Sequence, residues 1–370
     1  MPTNSDPASS WLIDRLVAGG EGFLRTEDGR ACFVPGALPG DRVRPLEIER
    51  RKRMVRVLDF DLAEPSPDRV EPPCPIADRC GGCDWMSLSR PAQLRAKGSI
   101  LQECLRRQGG VEVEVGPAKT AGPDLGYRHR VRLQRRGDVV GFYARGTRDL
   151  VPVTSCAVAH PDINAALAHL PAEGPSELRV GVDGAGVDTV QRLELPGAWI
   201  DVPPGAFSQV NPHVNAALVQ ALLDGVGDAR TAFDLHCGAG NFALPLAAAG
   251  LSVRGCDVGQ EGVDAAMRSA AAQGLDVDLI VAPAAVALKR WLEAPDLVVL
   301  DPPRTGCREL IAPLLALQPA RIAMISCDPA TCGRDVGALR AGGYTLDSAE
   351  AWDMFPHTHH VEALVWLSRA

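Results

Sequence analysis

Two residues near the end of the chain carry side chains suited to covalent chemistry. Cys327 follows the apolar run Arg321-Ile-Ala-Met-Ile-Ser326 and precedes Asp328-Pro329-Ala330-Thr331, so a thiol stands where a buried strand gives way to a helix. Proline suits the first helical turn, and the free amides there favour a thiolate. Cys327 is therefore expected to be more acidic than a free cysteine and to act as a nucleophile. Position alone does not separate that role from a small buried hydrophobe. Glu362 lies in Val361-Glu362-Ala-Leu-Val-Trp-Leu367, where period-two alternation puts it on one strand face with Leu364 and Trp366. Desolvation beside apolar surface raises a carboxylate's pKa, which is how a general base is tuned.

Other polar residues fall at the ends of apolar runs. Asp234-Leu-His-Cys-Gly238-Ala-Gly240-Asn241-Phe242 sets two glycines directly after a strand, letting the backbone approach a ligand, but lacks the third glycine of the dinucleotide fingerprint. Asp257 ends the next strand, where an acid accepts hydrogen bonds from ribose hydroxyls, so an adenosine cofactor is expected. In Asp301-Pro-Pro-Arg304-Thr-Gly306 two prolines stiffen the rim that presents Asp301. Enzymes that methylate amines often place an aromatic after the prolines, and Arg304 in that place disfavours amine methylation. His357, His359 and His360 form a loop trio without ligand spacing and receive no metal role. Cys74, Cys80 and Cys83 cluster around Gly81-Gly82, with Cys156 as a fourth thiol, a set that suits zinc or an iron-sulfur cluster; spacing does not choose between them.

The elements that must position these groups fall into three regions. Strand-like runs between Leu12 and Leu62, separated by Gly19-Gly20, Asp28-Gly29 and Pro39-Gly40, predict a small β-barrel over residues 1–62. Residues 63–204 read as a mixed module: the cysteine loop, a helix over 89–108 able to pack on the catalytic region, and a β-meander over 127–153. Residues 205–370 alternate strands and helices, which predicts an α/β doubly wound parallel sheet with ligands at the strands' carboxyl ends. At 370 residues the chain is long enough for two or three domains. It has no apolar stretch of membrane-span length, and Met1-Pro-Thr-Asn-Ser-Asp-Pro7 has no signal-like regions, so a cytoplasmic protein is expected. Eleven cysteines, an odd number, argue against a secreted disulfide framework.

The net charge of -8 is unevenly spread: residues 1–160 carry 25 Lys and Arg against 21 Asp and Glu, the remainder 13 against 25. Basic clusters at Arg50-Arg-Lys-Arg53, with Arg42, Arg44 and Arg56, and at Arg128, Arg130, Arg132, Arg135 and Arg136 favour a polyanion partner. A nicotinamide redox enzyme would want the missing glycine, and a non-catalytic RNA-binding protein would need neither Cys327 nor Glu362.

Together these residues resemble the S-adenosylmethionine-dependent RNA uracil-5 methyltransferases, particularly the branch that modifies 23S ribosomal RNA and carries a 4Fe-4S cluster. The resemblance spans nearly the whole chain and is carried by Phe207-Ser-Gln-Val-Asn211, Asp234 to Phe242, Asp301 to Gly306, Ser326-Cys-Asp-Pro-Ala-Thr331 and His360-Val-Glu362. It implies a class I methyltransferase Rossmann-like sheet, a TRAM-like RNA-binding barrel in front and RNA as partner, with no obligate protein partner. Cys74, Cys80, Cys83 and Cys156 would hold the cluster, and Gln209, His236, Asn241, Asp257 and Asp301 would contact S-adenosylmethionine. Cys327 would add to C6 of the uracil and Glu362 would remove the C5 proton. The chain departs from the family pattern at His236, where an aromatic is common, at Asp257 for Glu, at Asp328 for Asn, and at Ala284, where a polar residue is frequent.

Overall fold

The computed structural model describes residues 10–170, 173–182, 190–203 and 206–369. The stretch Met1 to Pro7 and the expected boundary at 204/205 lie outside the described residues. Six strands open the chain: β1 (Trp11–Leu12), β2 (Arg15–Leu16), β3 (Gly22–Arg25), β4 (Ala31–Val34), β5 (Arg42–Arg50) and β6 (Met54–Glu64), in the order β1-β5-β6-β4-β3-β2. β1 pairs with β5 while β2, three residues on, pairs with β3. One continuous segment thus joins both edges of the sheet and closes it into a barrel, removing its free edges. Ile13, Leu24, Cys32, Val34, Val43, Val55 and Val57 fill it. Its long β5–β6 hairpin turns at Arg51 to Arg53, and Arg50 to Arg53 are all exposed.

A helix, α1 (Arg90–Gly109), follows the cysteine loop. Next come β7 (Arg130–Arg136), β8 (Val139–Tyr143), β9 (Leu150–Pro152), α2 (Pro161–Leu167) and β10 (Glu177–Gly181), the strands forming an antiparallel sheet ordered β10-β7-β8-β9. β11 (Gln191–Leu195) and β12 (Ala198–Val202) form a separate hairpin.

The remaining elements build a seven-stranded sheet. They are α3 (Pro212–Gly225), β13 (Thr231–Leu235), α4 (Ala243–Ala248), β14 (Ser252–Asp257), α5 (Gln260–Gln273), β15 (Val277–Val281), α6 (Ala284–Arg290), β16 (Leu297–Leu300), α7 (Arg308–Leu317), β17 (Arg321–Ser326), α8 (Pro329–Ala341), β18 (Tyr344–Trp352) and β19 (Glu362–Arg369). The order is β15-β14-β13-β16-β17-β19-β18, parallel through β17, with β19 antiparallel to both its neighbours. The expected parallel sheet therefore carries an antiparallel hairpin at one end. Apolar runs alone do not report strand direction, and the β18–β19 connection is too short for the helical crossover that a parallel return needs.

Strand order reverses between β13 and β16, the place where such sheets bind ligands. Helices α3, α4 and α5 cover one face, through Leu218, Leu244 and Ala266 against Val299, Ile325 and Leu364. The other face is covered by α6, α7, α8 and α1, which packs through Leu101 and Leu105. Contact between α1 and α8 is close because glycines face it: a Cβ on Gly333 would lie 2.5 Å from the Cys104 carbonyl oxygen, and one on Gly337 3.0 Å from Gly109 Cα.

Candidate active site

A cleft of about 790 Å³ opens at the carboxyl ends of β13, β14, β16 and β17. Gln209, His236, Asp257, Asp301, Cys327 and Glu362 all line it, with Ala206, Phe207, Gly238, Arg304, Phe355 and His360. Strand pairing explains how the thiol and the carboxylate meet. β17 and β19 pair antiparallel with Ser326 opposite Ala363. Cys327 directly follows the one and Glu362 directly precedes the other, so the end of the ladder brings both to the same rim of the sheet.

Each group's environment follows from its burial. Glu362 is 2% exposed, its Oε1 has no hydrogen-bond partner, and its pKa stands well above the ordinary carboxylate value. Burial is the main cause and the neighbouring Asp301 carboxylate the second, while Arg304 opposes them. Burial, with Asp257 nearby, also lifts Asp301 to about 7. Beneath the glycine turn, fully buried Asp234 is lifted to about 8 by burial and then Asp301.

The Cys327 thiol contradicts the expected acidity. It is pushed up to about 11, by burial first and then by the charges of Glu362 and Asp301, with Arg304 acting the other way. One amide of the first turn of α8 is engaged elsewhere: Asp328 accepts from Thr331 N–H at 2.8 Å as the helix N-cap. Cys332, one helical turn on, is 1% exposed with its thiol raised further, mainly by burial.

Two of the expected cofactor contacts are committed within the protein. Asn241 is absent from the cleft lining: its amide exchanges two hydrogen bonds with Asn215, at 2.7 and 3.1 Å, fastening the glycine turn to α3. The Asp257 carboxylate accepts from Gly238 N–H at 3.1 Å and Gly259 N–H at 2.7 Å, so it joins the loops after β13 and β14 while still facing the cleft. His236 takes a left-handed backbone (φ 73°), an uncommon conformation for a non-glycine residue, and burial lowers its pKa.

Arg304 and His360 were given no site role from sequence, yet both line the cleft. Among the described residues Arg304 is the one Lys or Arg that does so. His360 packs edge-on against Phe355, and burial lowers it to about 4, so it is neutral near pH 7. Period two from Glu362 would have found His360.

Cys74, Cys80, Cys83 and Cys156 line a second cavity of about 240 Å³ with Arg128, Arg132, Phe142 and Val158. Gly82 N–H donates to Cys80 Sγ at 3.4 Å. Burial, and second the neighbouring Cys156, push the Cys83 thiol up to about 12. Among the described residues no three His, Cys, Asp or Glu side chains converge closely enough to hold a single metal ion. No helix among them is long and apolar enough to cross a membrane.

Known proteins share this chain's pattern over almost its whole length. It is 34% identical to the 23S rRNA (uracil(1939)-C(5))-methyltransferase RlmD of Pseudomonas putida, over 95% of this chain and 92% of that one. The protein of the same name from Chromohalobacter salexigens is 33% identical, over 98% and 90%. The chain belongs to the RNA uracil-5 methyltransferase family. A sequence profile of the tRNA (uracil-5-)-methyltransferases matches residues 198–370, the part that holds the sheet and cleft. The crystal structure of Pyrococcus abyssi tRNA (uracil-54, C5)-methyltransferase in complex with S-adenosyl-L-homocysteine superposes with a TM-score of 0.75, at 23% identity, over 97% of this chain and 100% of that one. That likeness shows that the two chains share one fold over almost their whole length.

Proposed function

We propose that the protein methylates C5 of a uridine in RNA, 23S ribosomal RNA in the first instance, with Cys327 as nucleophile and Glu362 as base. That Cys327 and Glu362 flank the end of the β17–β19 ladder and line one cleft carries the reading. Uracil C5 is a weak nucleophile. A thiolate at Cys327 forms a bond to C6 and pushes electrons to C5, making that carbon nucleophilic. After C5 is alkylated, Glu362 takes its proton, the electrons return to form the C5–C6 double bond, and the C6–S bond breaks to restore Cys327. Glu362 is placed for the final step because burial and Asp301 make it more basic than an ordinary carboxylate.

S-adenosylmethionine, when bound, supplies the methyl group as a sulfonium cation. The cleft suits such a cation, because the carboxyl groups of Asp257, Glu261, Asp301 and Glu362 line it with one arginine. Gln209, His236, Asp257 and Asp301 are the side chains positioned to hold it. Cys74, Cys80, Cys83 and Cys156 surround one cavity and are the thiols that would hold a 4Fe-4S cluster, the reading that the resemblance to the cluster-carrying branch favours over zinc. Such a cluster would tie the cysteine loop to the sheet of β7 to β10. The basic β5–β6 turn supports RNA as the partner, and an rRNA target rests on the 33–34% identity to the ribosomal enzymes.

Mass mapping of methylated uridines in ribosomal and transfer RNA, with and without the gene, tests reaction and target together. A 5-fluorouridine transcript should trap the native chain covalently and not Cys327→Ala. Cys332 is too buried to substitute, so a trap that survives the substitution would overturn the assignment of the nucleophile.

A further inference from the structure

The loop between β18 and β19 leads directly into Glu362, and its polar groups are held by residues outside the catalytic sheet. Asp353 pairs with Lys97 and Arg90. Lys97 Nζ also donates to the Phe355 carbonyl at 3.0 Å, and Tyr127 Oη to the Pro356 carbonyl at 3.2 Å. His357 donates its N–H to Gln93 Oε1 at 2.9 Å and accepts at its carbonyl from Trp85 N–H at 3.0 Å. His359 closes the series, donating its N–H to Asp84 Oδ1 at 3.1 Å and its ring Nδ1–H to Asp84 Oδ2 at 2.7 Å.

Asp84 and Trp85 directly follow Cys83, so the chain that leaves the cysteine cavity grips the catalytic loop. The barrel reaches the same point. Trp85 Nε1 donates to the Gly20 carbonyl at 3.2 Å, and a Cβ on Gly20 would lie 2.7 Å from His359 Cβ and collide with Asp84 Oδ2. Gly20 also holds a positive φ of 83°. Barrel, cysteine segment and catalytic loop thus meet at one bidentate Asp84–His359 contact.

We propose that Asp84 is a positioning residue for the proton-removal step: through His359 it sets the loop that carries His360 and Glu362, and through Gly20 that setting depends on how the barrel is seated. This rests on the methylation chemistry proposed above. Displacing a base by about an ångström costs up to about a hundredfold in its step, whereas addition by Cys327, which sits on β17 and α8, does not pass through this loop.

The test uses the full-length, cluster-loaded chain as wild type, Asp84→Ala, Gly20→Ala and, as a control, Asp78→Ala, an exposed acid of the same loop. Each is given S-adenosylmethionine and 23S rRNA transcribed with uridine or with 5-fluorouridine. Asp84→Ala and Gly20→Ala should raise the steady-state fraction of denaturation-resistant adduct on uridine RNA by about tenfold. Their end-point trap on 5-fluorouridine RNA should stay within about twofold of wild type, and Asp78→Ala should match wild type in both. Visible absorption of the cluster is read alongside, and if Asp84→Ala loses it, Gly20→Ala decides. Adduct and trap falling together in the deciding variant would mean a general loss of structure and overturn the proposal, as would an adduct fraction on uridine RNA unchanged from wild type. A wild type that forms no trap would sink the underlying chemistry instead.

Discussion

Glu362→Gln separates the two halves of the proposed reaction. The side chain is 2% exposed and its Oε1 has no partner, so a carboxamide of the same shape fits without opening a cavity. In the empty cleft, burial and then Asp301 favour the protonated carboxyl, the form that a carboxamide most resembles. Stability should change by no more than about 1 kcal/mol, the scale of one hydrogen bond. Catalysis should change far more: a positioned general base is worth roughly 10² to 10⁴ in rate, or about 3 to 5 kcal/mol of barrier. The loss should fall after methyl transfer, leaving methylated uridine attached to Cys327. The assay is a denaturing gel of protein and ordinary uridine RNA sampled during turnover with S-adenosylmethionine. Adduct should accumulate in the variant, stay transient in wild type, and be absent with S-adenosylhomocysteine. Turnover within about tenfold of wild type would refute the assignment of the base, and so would a variant that loses the 5-fluorouridine trap as well.

Lys97→Met should destabilise the protein by about 3 kcal/mol, because it leaves the fully buried Asp353 carboxylate with Arg90 alone; a denaturant midpoint shift at constant slope checks this. Gly333→Ala should cost about 1 to 3 kcal/mol, since the added carbon meets the Cys104 carbonyl across the α1–α8 contact; a fall in thermal midpoint measures it. Cys80→Ser should leave the purified, anaerobically reconstituted protein with less iron and weaker visible absorption than wild type, and stoichiometric zinc in the wild type would instead contradict the cluster. The pH dependence has a defined sign: Asp301 and Asp234 are raised from 3.8 to about 7 and about 8, so the folded state binds protons that the unfolded chain has released. Their contribution is complete below about pH 4 and is lost as pH rises through about 7 to 8, so the ligand-free thermal midpoint should fall between about pH 5 and pH 8 and fall less in Asp301→Asn.

The strands that carry the chemistry were legible because each is a short apolar run ending in a polar residue: Arg321–Ser326 before Cys327, Leu297–Leu300 before Asp301, Ser252–Asp257 itself. The acidity of Cys327 was misjudged because a helix terminus is visible in sequence, while the burial of the thiol and the two carboxylates brought to it by the strands β16 and β19 are not. Asn241 illustrates the same limit, since its partner Asn215 lies 26 residues earlier on another helix. The grip of α1 on the catalytic loop did leave a trace. Gln93, Lys97, Leu101 and Cys104 follow one another at helical spacing on a single face, so two long polar side chains stand where apolar ones belong. A polar residue on a buried face must find a partner, but sequence does not name one more than 250 residues away.

The raised thiol and the raised carboxylates have a common origin. Cys327, Glu362, Asp301 and Asp234 are all pushed toward their protonated forms, by burial first and then by neighbouring negative charge. That charge comes from Glu362 and Asp301 at Cys327, from Asp301 at Glu362 and Asp234, and from Asp257 at Asp301, while Arg304 opposes the shift only at Cys327 and Glu362. A cation seated in the cleft opposes that negative charge at Cys327 and Glu362, lowering the thiol toward a thiolate and freeing Glu362 to accept a proton. On this view the methyl donor is also the switch for the nucleophile. The pH midpoint of Cys327 alkylation by iodoacetamide, mapped by peptide mass, should therefore move down when a sulfonium ligand is bound and much less with the neutral thioether. Equal midpoints with both ligands would mean that Arg304 and the helix dipole alone set the thiol.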